Sequence, residues 1–251
     1  MKSWGHLART VLVICWKNIK IYYAKGPIVV TGILFPVFLW LAFQTGKGLK
    51  AEEAIPSLIA VTLFSTSSSI TPVIAPWETR QKTLEMLLAR PVTIARVLAG
   101  DMLASTIFGF AFALPPVIYG LAYGVAPASP LLLMGLLILA SLEFSALGVL
   151  FSAVPTDTPA DAVMISSVVK LPLIFISGVF TPVNQMPSWI KPISTASPLT
   201  YVADAIRLLY KGEDLFTAVL DLLVTMVYTA IFVLAAVKLH RKTITARLQL
   251  R

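Results

Sequence analysis

Two ionisable side chains sit inside runs that are otherwise apolar. Glu143 lies within LLLMGLLILASLEFSALGVLF, and Lys170 within AVMISSVVKLPLIFI. A charge at the centre of a bilayer costs about 2.5–3.5 kcal/mol on insertion scales, so each should face a partner, a cavity or a protein seam. Pro172 removes a backbone donor, which leaves the carbonyl of Val168 without its helical bond and open to a lysine. Two readings stand side by side. Either the two residues pair across spans or line a conduit and bias it towards a charged substrate, or they form a purely structural ion pair or the lysine simply snorkels. The run Ser65-Thr66-Ser67-Ser68-Ser69 is similarly double-edged, because small hydroxyl residues serve tight helix packing as well as a polar pore lining.

Other chemistry is sparse. No Gly-x-x-x-x-Gly-Lys-Ser/Thr occurs, so the chain has no phosphate-cradling loop with which to hydrolyse ATP. No nucleophile–base pair or carboxylate cluster suggests a hydrolase. His6 and His240 are far apart, and the single cysteine, Cys15, permits neither an intrachain disulfide nor a cysteine metal cage.

The strangest stretch is Trp77 to Asp101, WETRQKTLEMLLARPVTIARVLAGD, a charged, helix-forming island between apolar runs. Leu84, Leu87 and Leu88 form one stripe over about a turn, flanked by Glu78, Arg80, Lys82 and Glu85. Pro91 ends the pattern, and Thr93 can cap the helix that follows. By pattern this is a short amphipathic helix lying across the spans. It either offers its leucines and charges to a cytosolic partner or rests on the membrane surface.

The elements that must position these residues follow from composition. Of 251 residues, 57% are hydrophobic and only 13% charged, about half the charge of a soluble domain. The bilayer is the expected solvent. A net charge of +8 is spread over short loops and both ends, which suits anionic lipid and membrane orientation rather than nucleic acid. Six segments are long and apolar enough to cross: roughly 27–45, 54–75, 97–123, 130–154, 160–181 and 217–237. Pro27, Ser129-Pro130 and Thr158-Pro159-Ala160-Asp161 read as helix starts, and Pro115-Pro116 should kink the third span. With the N-terminus inside, 14 of the 20 lysines and arginines fall on the cytoplasmic side and five outside. Both termini are therefore expected in the cytoplasm of a multi-pass plasma-membrane protein.

Two elements are not spans. Residues 1–26 read as an interfacial helix, with Trp4, Leu7, Ala8, Val11, Leu12, Cys15, Ile19 and Tyr22 on one face and Lys2, Arg9, Lys17 and Lys20 on the other. The alternative is a first transmembrane helix, against which its internal cations count. The VLVICW cluster is followed by Lys17 and Lys20 rather than a small-residue cleavage site, so no cleavable signal is expected. Residues 182–216 read as short broken helices in the outer leaflet, interrupted by Pro182, Pro187 and Pro192. A helix carries Leu199, Val202, Ile206 and Leu209 from Ser197-Pro198 to Gly212, and Trp189 is placed as an interfacial anchor. Without linkers or repeats, residues 1–251 form one transmembrane domain.

The island carries a resemblance. ETRQKTLEMLLARPVT, Glu78 to Thr93, resembles the loop after the second span in type-2 permeases of ATP-binding-cassette (ABC) exporters. The pattern there is an acidic and basic pair, Gly-Thr-Leu-Glu, two leucines, and Pro-Val/Leu-Ser/Thr. The runs Ser177-Gly-Val-Phe-Thr-Pro, Met186-Pro-Ser-Trp, Ser197-Pro-Leu-Thr-Tyr and Ala205-Ile-Arg resemble the same family's fifth-span end and outer loop. With the six-span layout, the resemblance covers nearly the whole chain.

That resemblance implies an all-α permease that pairs as a homodimer or heterodimer on two cytosolic ATPase subunits, which bind the ATP and magnesium; no cofactor belongs to this chain. Residues 77–96 would be the coupling loop, with the helix at 78–89 seated on the ATPase. Glu78, Arg80, Thr83, Leu84, Glu85, Leu87 and Leu88 are then the candidate contacts. The N-terminal helix would be the family's connecting helix. Three positions depart from the pattern: Lys82 stands where the family has glycine, which leaves a positive-φ bend there open; Asp101 stands where lysine is common; and Lys170 lies within the fifth span. A stand-alone secondary transporter or channel is the alternative, although residues 27–123 and 130–237 show no repeat of the kind such proteins carry. Drugs, lipids, polysaccharides and glycolipids all remain open as substrates.

Overall fold

In a computed structural model, the described residues are 2–23, 34–47, 51–89 and 92–248, and their regular structure is all helical. Eleven helices are described: α1 Lys2–Asn18, α2 Phe35–Lys47, α3 Ala51–Ser69, α4 Thr71–Arg80, α5 Thr83–Leu88, α6 Ile94–Ala122, α7 Pro130–Phe151, α8 Pro159–Ile176, α9 Lys191–Thr195, α10 Pro198–Lys211 and α11 Leu215–Leu248. A π-helical turn, Ile19–Tyr23, extends α1, and a 3₁₀ turn at Val183–Gln185 precedes α9.

Five helices are long and apolar enough to cross a membrane: Glu52–Arg80, Ile94–Ala122, Pro130–Phe151, Pro159–Ile176 and Leu215–Ile244. They correspond to the second to sixth expected spans. Of the first, 27–45, only α2 is described, and the expected start at Pro27 lies outside the described residues. Boundaries shift for local reasons. The second span continues through a bend at Ile70 into α4, which restarts at Thr71-Pro72. The fifth stops at Ile176 rather than 181, where Gly178 turns the chain with φ +78°. The sixth runs past its apolar stretch because His240 hydrogen-bonds back to the Ser152 hydroxyl and the Val149 carbonyl at the end of α7. Ser129, Thr158 and Thr93 do occupy N-cap positions, but none of their side chains makes a capping bond.

The central helix is α3. Ile55, Ile59, Leu63 and Phe64 are buried against Ala113 and Val117 of α6, Leu133, Leu137 and Phe144 of α7, and Leu199, Val202 and Ile206 of α10. Phe64 and Phe144 meet edge to face with centroids 4.9 Å apart, a geometry that adds about 0.5–1.5 kcal/mol beyond burial. Small residues allow the close approach: a Cβ on Gly109 would run into Ser67, and one on Gly148 into Thr71. Ser105 donates to the Ser67 carbonyl at 2.6 Å and Ser145 to the Met102 carbonyl at 3.0 Å, so hydroxyls join α3, α6 and α7.

The segment at 182–216 is broken into short helices as its prolines require. Leu199, Val202, Ile206 and Leu209 are all buried, Gly212 ends α10 in a left-handed conformation, and Trp189 is exposed. Arg207 donates to the Gly178 carbonyl at 2.7 Å and to Asp204 at 3.1 Å, tying α10 to the end of α8. Burial lowers the pKa of its guanidinium, while the Asp204 carboxylate opposes that shift.

Candidate functional site

The island sits at the end of the molecule that also holds α1, the start of α6 and the end of α7. It is not one helix from 78 to 89. Trp77–Arg80 form the last turn of α4, and the chain then reverses through Gln81 and Lys82 before α5 begins at Thr83. Lys82 adopts φ 57°, ψ 13°, the left-handed region that costs a residue with a side chain roughly 1–2 kcal/mol. The turn is held from both sides. Gln81 and Lys82 donate their amides to the carbonyls of Trp77 and Thr79 at 3.0 and 3.1 Å, and the Thr83 hydroxyl donates to the Glu78 carbonyl at 3.3 Å. The positive-φ bend is thus made by a lysine.

Two of the seven candidate contacts face inward. Glu78 is 1% exposed and forms an ion pair with Lys17 of α1. Leu84 is 2% exposed and lines a narrow crevice with Ala75, Val97, Leu98 and His240. Thr83, Leu87 and Leu88 are half-buried. Arg80 and Glu85 are exposed, together with Gln81, Lys82 and Met86. Met86 is 68% exposed, a flexible apolar knob between charges. The leucine stripe drew attention to the face that packs against the body; the outward face is Arg80, Lys82, Glu85 and Met86.

Helix α1 clamps this corner. Asn18 Nδ2 donates to Asp101 Oδ1 at 2.6 Å, both residues being buried, and Ile14 packs so closely on Gly100 that a Cβ there would lie 2.5 Å from its Cγ2. The helix is rotated relative to its sequence pattern. Ile14, Cys15 and Asn18 face the body, Leu12 and Trp16 are exposed, and Lys17 turns from the expected polar face to meet Glu78. A buried carboxylate on each of two neighbouring elements outcompetes the apolar stripe for that face. Burial, then the Glu78 and Asp101 charges, pushes the Tyr22 phenol well up. Burial and Asp101 likewise raise the Cys15 thiol. None of these pairings has a sequence signal, since Lys17 and Glu78 lie 61 residues apart.

The intramembrane residues separate. Glu143 is fully buried in α7, and neither carboxylate oxygen has a hydrogen-bond partner among the described residues. No ion pair joins it to Lys170. The ammonium of Lys170 instead donates to the Ser68 carbonyl at 3.3 Å. Lys170 lines a cavity of about 370 Å³ between α3 and α8, together with Phe35, Phe64, Ser65, Ser69, Val163, Ser166, Ser167, Leu171 and Ile174. The serine run therefore serves both roles by face: Ser67 and Ser68 are fully buried in helix packing, and Ser65 and Ser69 line the cavity. Helix α8 is otherwise thinly covered, with Met164, Val168 and Phe175 exposed.

Comparison with known proteins identifies the family. The family model for ABC-2 type transporters matches residues 9–210. A protein of Cyanophora paradoxa named as a transport permease, ycf38, is 29% identical over 224 residues, covering 81% of this chain and 75% of its own. A protein of Escherichia coli (strain K12) named as a multidrug ABC transporter permease, YbhR, is 27% identical over 158 residues, covering 62% of this chain; the match spans 43% of its own length. With most of its length matched, and with at least five helices fit to cross a membrane, the chain belongs to the ABC-2 type transporter family.

Proposed function

We propose that this chain is the membrane permease of an ATP-driven exporter, and that its outward island face is where separate cytosolic ATPase subunits push. Two permeases and two ATPases make the working unit, as homodimer or heterodimer, with the ATP and magnesium held by the ATPases. Both termini lie on the cytoplasmic side of the plasma membrane. The observation that carries the reading is the mounting of α5. A short helix with charges and Met86 on its outer side is joined to the second span by a two-residue turn, and Glu78 at that junction is gripped by Lys17.

Such a mounting transmits force. Displacing α5 moves the end of α4 and, through Lys17–Glu78 and Asn18–Asp101, also moves α1 and α6. Nucleotide can shift the permease only through contacts that differ between its two states. A helix fixed at its root and free at its outer face supplies such contacts. Arg80, Lys82, Glu85 and Met86, with the half-buried Leu87 and Leu88, form the contact surface; Glu78, Thr83 and Leu84 hold it in place.

The test is co-purification of the tagged chain from its own membrane. A soluble P-loop ATPase should accompany it, and Met86→Glu with Glu85→Arg should release that ATPase while leaving thermal unfolding of the permease unchanged. Retention of the ATPase by this double variant would refute the assigned contact face, and the lack of any ATPase under gentle extraction would refute the ATP-driven reading and favour a secondary transporter.

A further inference from the structure

The cavity between α3 and α8 is electrostatically one-sided. Among the described residues, Lys170 is the single charged residue on its lining, and no acidic side chain lines it. One donor of the ammonium reaches the Ser68 carbonyl; the other two have no partner among the described residues. The remaining wall falls into two kinds. Ser65, Ser69, Ser166 and Ser167 supply hydroxyls; those of Ser69 and Ser166 donate to the Ser65 and Val163 carbonyls, whereas that of Ser65 is buried without a hydrogen-bond partner among the described residues. Phe64, Val163 and Ile174 are apolar. Glu143 is not on the lining, so no described side chain within the cavity neutralises the lysine.

The depth matters. Lys170 stands six residues before the last residue of α8, Ile176, which at 1.5 Å per residue is about 9 Å from that end. A cation so placed in hydrocarbon is costly unless a counter-charge or water reaches it. The volume lies within the range of small-molecule sites, and the lining has their usual composition, mostly apolar with a few convergent polar groups.

We propose that this cavity is a binding site for an amphiphile carrying one anionic head, a carboxylate, sulfonate or phosphate, and that Lys170 selects the charge. The proposal rests on the permease reading and names its substrate class. The head accepts from the two free ammonium donors and from the unpartnered Ser65 hydroxyl, and the tail runs along Phe64, Val163 and Ile174. A cationic amphiphile meets only repulsion there. The head itself has two possible sources, a membrane lipid or a dissolved amphiphilic acid, and the chemistry is shared.

The test uses the full-length chain in nanodiscs of zwitterionic lipid, without nucleotide or partner. The probes are dansyl-aminoundecanoic acid and the neutral alcohol of the same length. In the wild-type protein the acid should bind roughly 10- to 100-fold more tightly than the alcohol, the value of a charge-assisted hydrogen bond. Lys170→Gln should remove that advantage and leave alcohol binding unchanged, while Lys170→Arg should retain it. Equal affinity of acid and alcohol in the wild type overturns the proposal, and so does an acid preference that survives in Lys170→Gln. Phosphatidylglycerol in the disc separates the sources: Lys170-dependent displacement of the acid identifies a lipid head, and acid binding undisturbed by it identifies a dissolved amphiphile. Because no ATPase is present, failure here leaves the drive surface standing, and loss of the ATPase partner leaves this binding result standing.

Discussion

The ion pair between Lys17 and Glu78 allows a sharp test of how α1 is held. Glu78 is almost wholly withdrawn from solvent, its side chain 2% exposed, whereas that of Lys17 is 27% exposed. One carboxylate oxygen meets the lysine; the other has no hydrogen-bond partner among the described residues. Lys17→Met therefore strands a buried carboxylate, which costs about 3–5 kcal/mol for a fully buried pair. Water reaching Lys17 reduces that to the low end, about 3 kcal/mol. At about 2–4 °C per kcal/mol for a domain of this size, the midpoint should fall by about 6–12 °C. Glu78→Met leaves only a lysine that swings out to water, so it should cost less. The double variant Lys17→Met/Glu78→Met should recover most of the first loss, since an apolar pair replaces a buried ionic one at little net cost. The assay is thermal unfolding of the purified chain in nanodiscs, arranged as a double-mutant cycle. Additive losses, with the double variant no better than Lys17→Met, would refute the clamp.

Three further outcomes follow from local geometry. Lys82→Gly should leave stability unchanged or raise it by up to about 1 kcal/mol, because relief of left-handed strain is partly offset by glycine's entropy, whereas Lys82→Val should lower it; chemical denaturation distinguishes them. Gly109→Ala should destabilise by about 1–3 kcal/mol by driving a Cβ into Ser67, and pairing it with Ser67→Gly should restore most of the loss in the same measurement. Asp214 accepts from the amide of Thr217 at 3.1 Å and from its hydroxyl at 2.5 Å, which holds its carboxyl below the usual range. A lowered folded pKa means that the cap is complete above the ordinary value of about 3.9 and is lost as pH falls through the depressed one. Protection of the first-turn amides of α11, exchange taken relative to its intrinsic rate, should therefore fall only on strong acidification, and should already be reduced at neutral pH in Asp214→Ala.

Much of the architecture was legible because it follows from transfer energies and local turn chemistry. A chain 57% hydrophobic must build its spans from long apolar runs, and Pro130, Pro159 and Pro198 begin helices where a missing amide costs nothing. The burial of Leu199, Val202, Ile206 and Leu209 in the segment 182–216 could be read from spacing alone. Span ends were less legible, since they depend on distant partners such as Arg207 on the Gly178 carbonyl and His240 on α7.

The site divides along the same line. Residue types and order identified the island, its leucines and the intramembrane lysine, because each departs from its surroundings within a few residues. Which way those side chains point was decided only by packing. Leu84 and Glu78 turn inward because the crevice beside α6 and the ammonium of Lys17 bury them, leaving Met86 outermost. Glu143 and Lys170 look like natural partners in one dimension, yet α3 comes close enough to offer Lys170 the Ser68 carbonyl and a serine-lined cavity. Local sequence determines what an element is, through free energies summed over a few neighbours. Which face it shows, and to whom, depends on contacts between residues 61, 83 and 102 positions apart, and those exist only once the helices have packed.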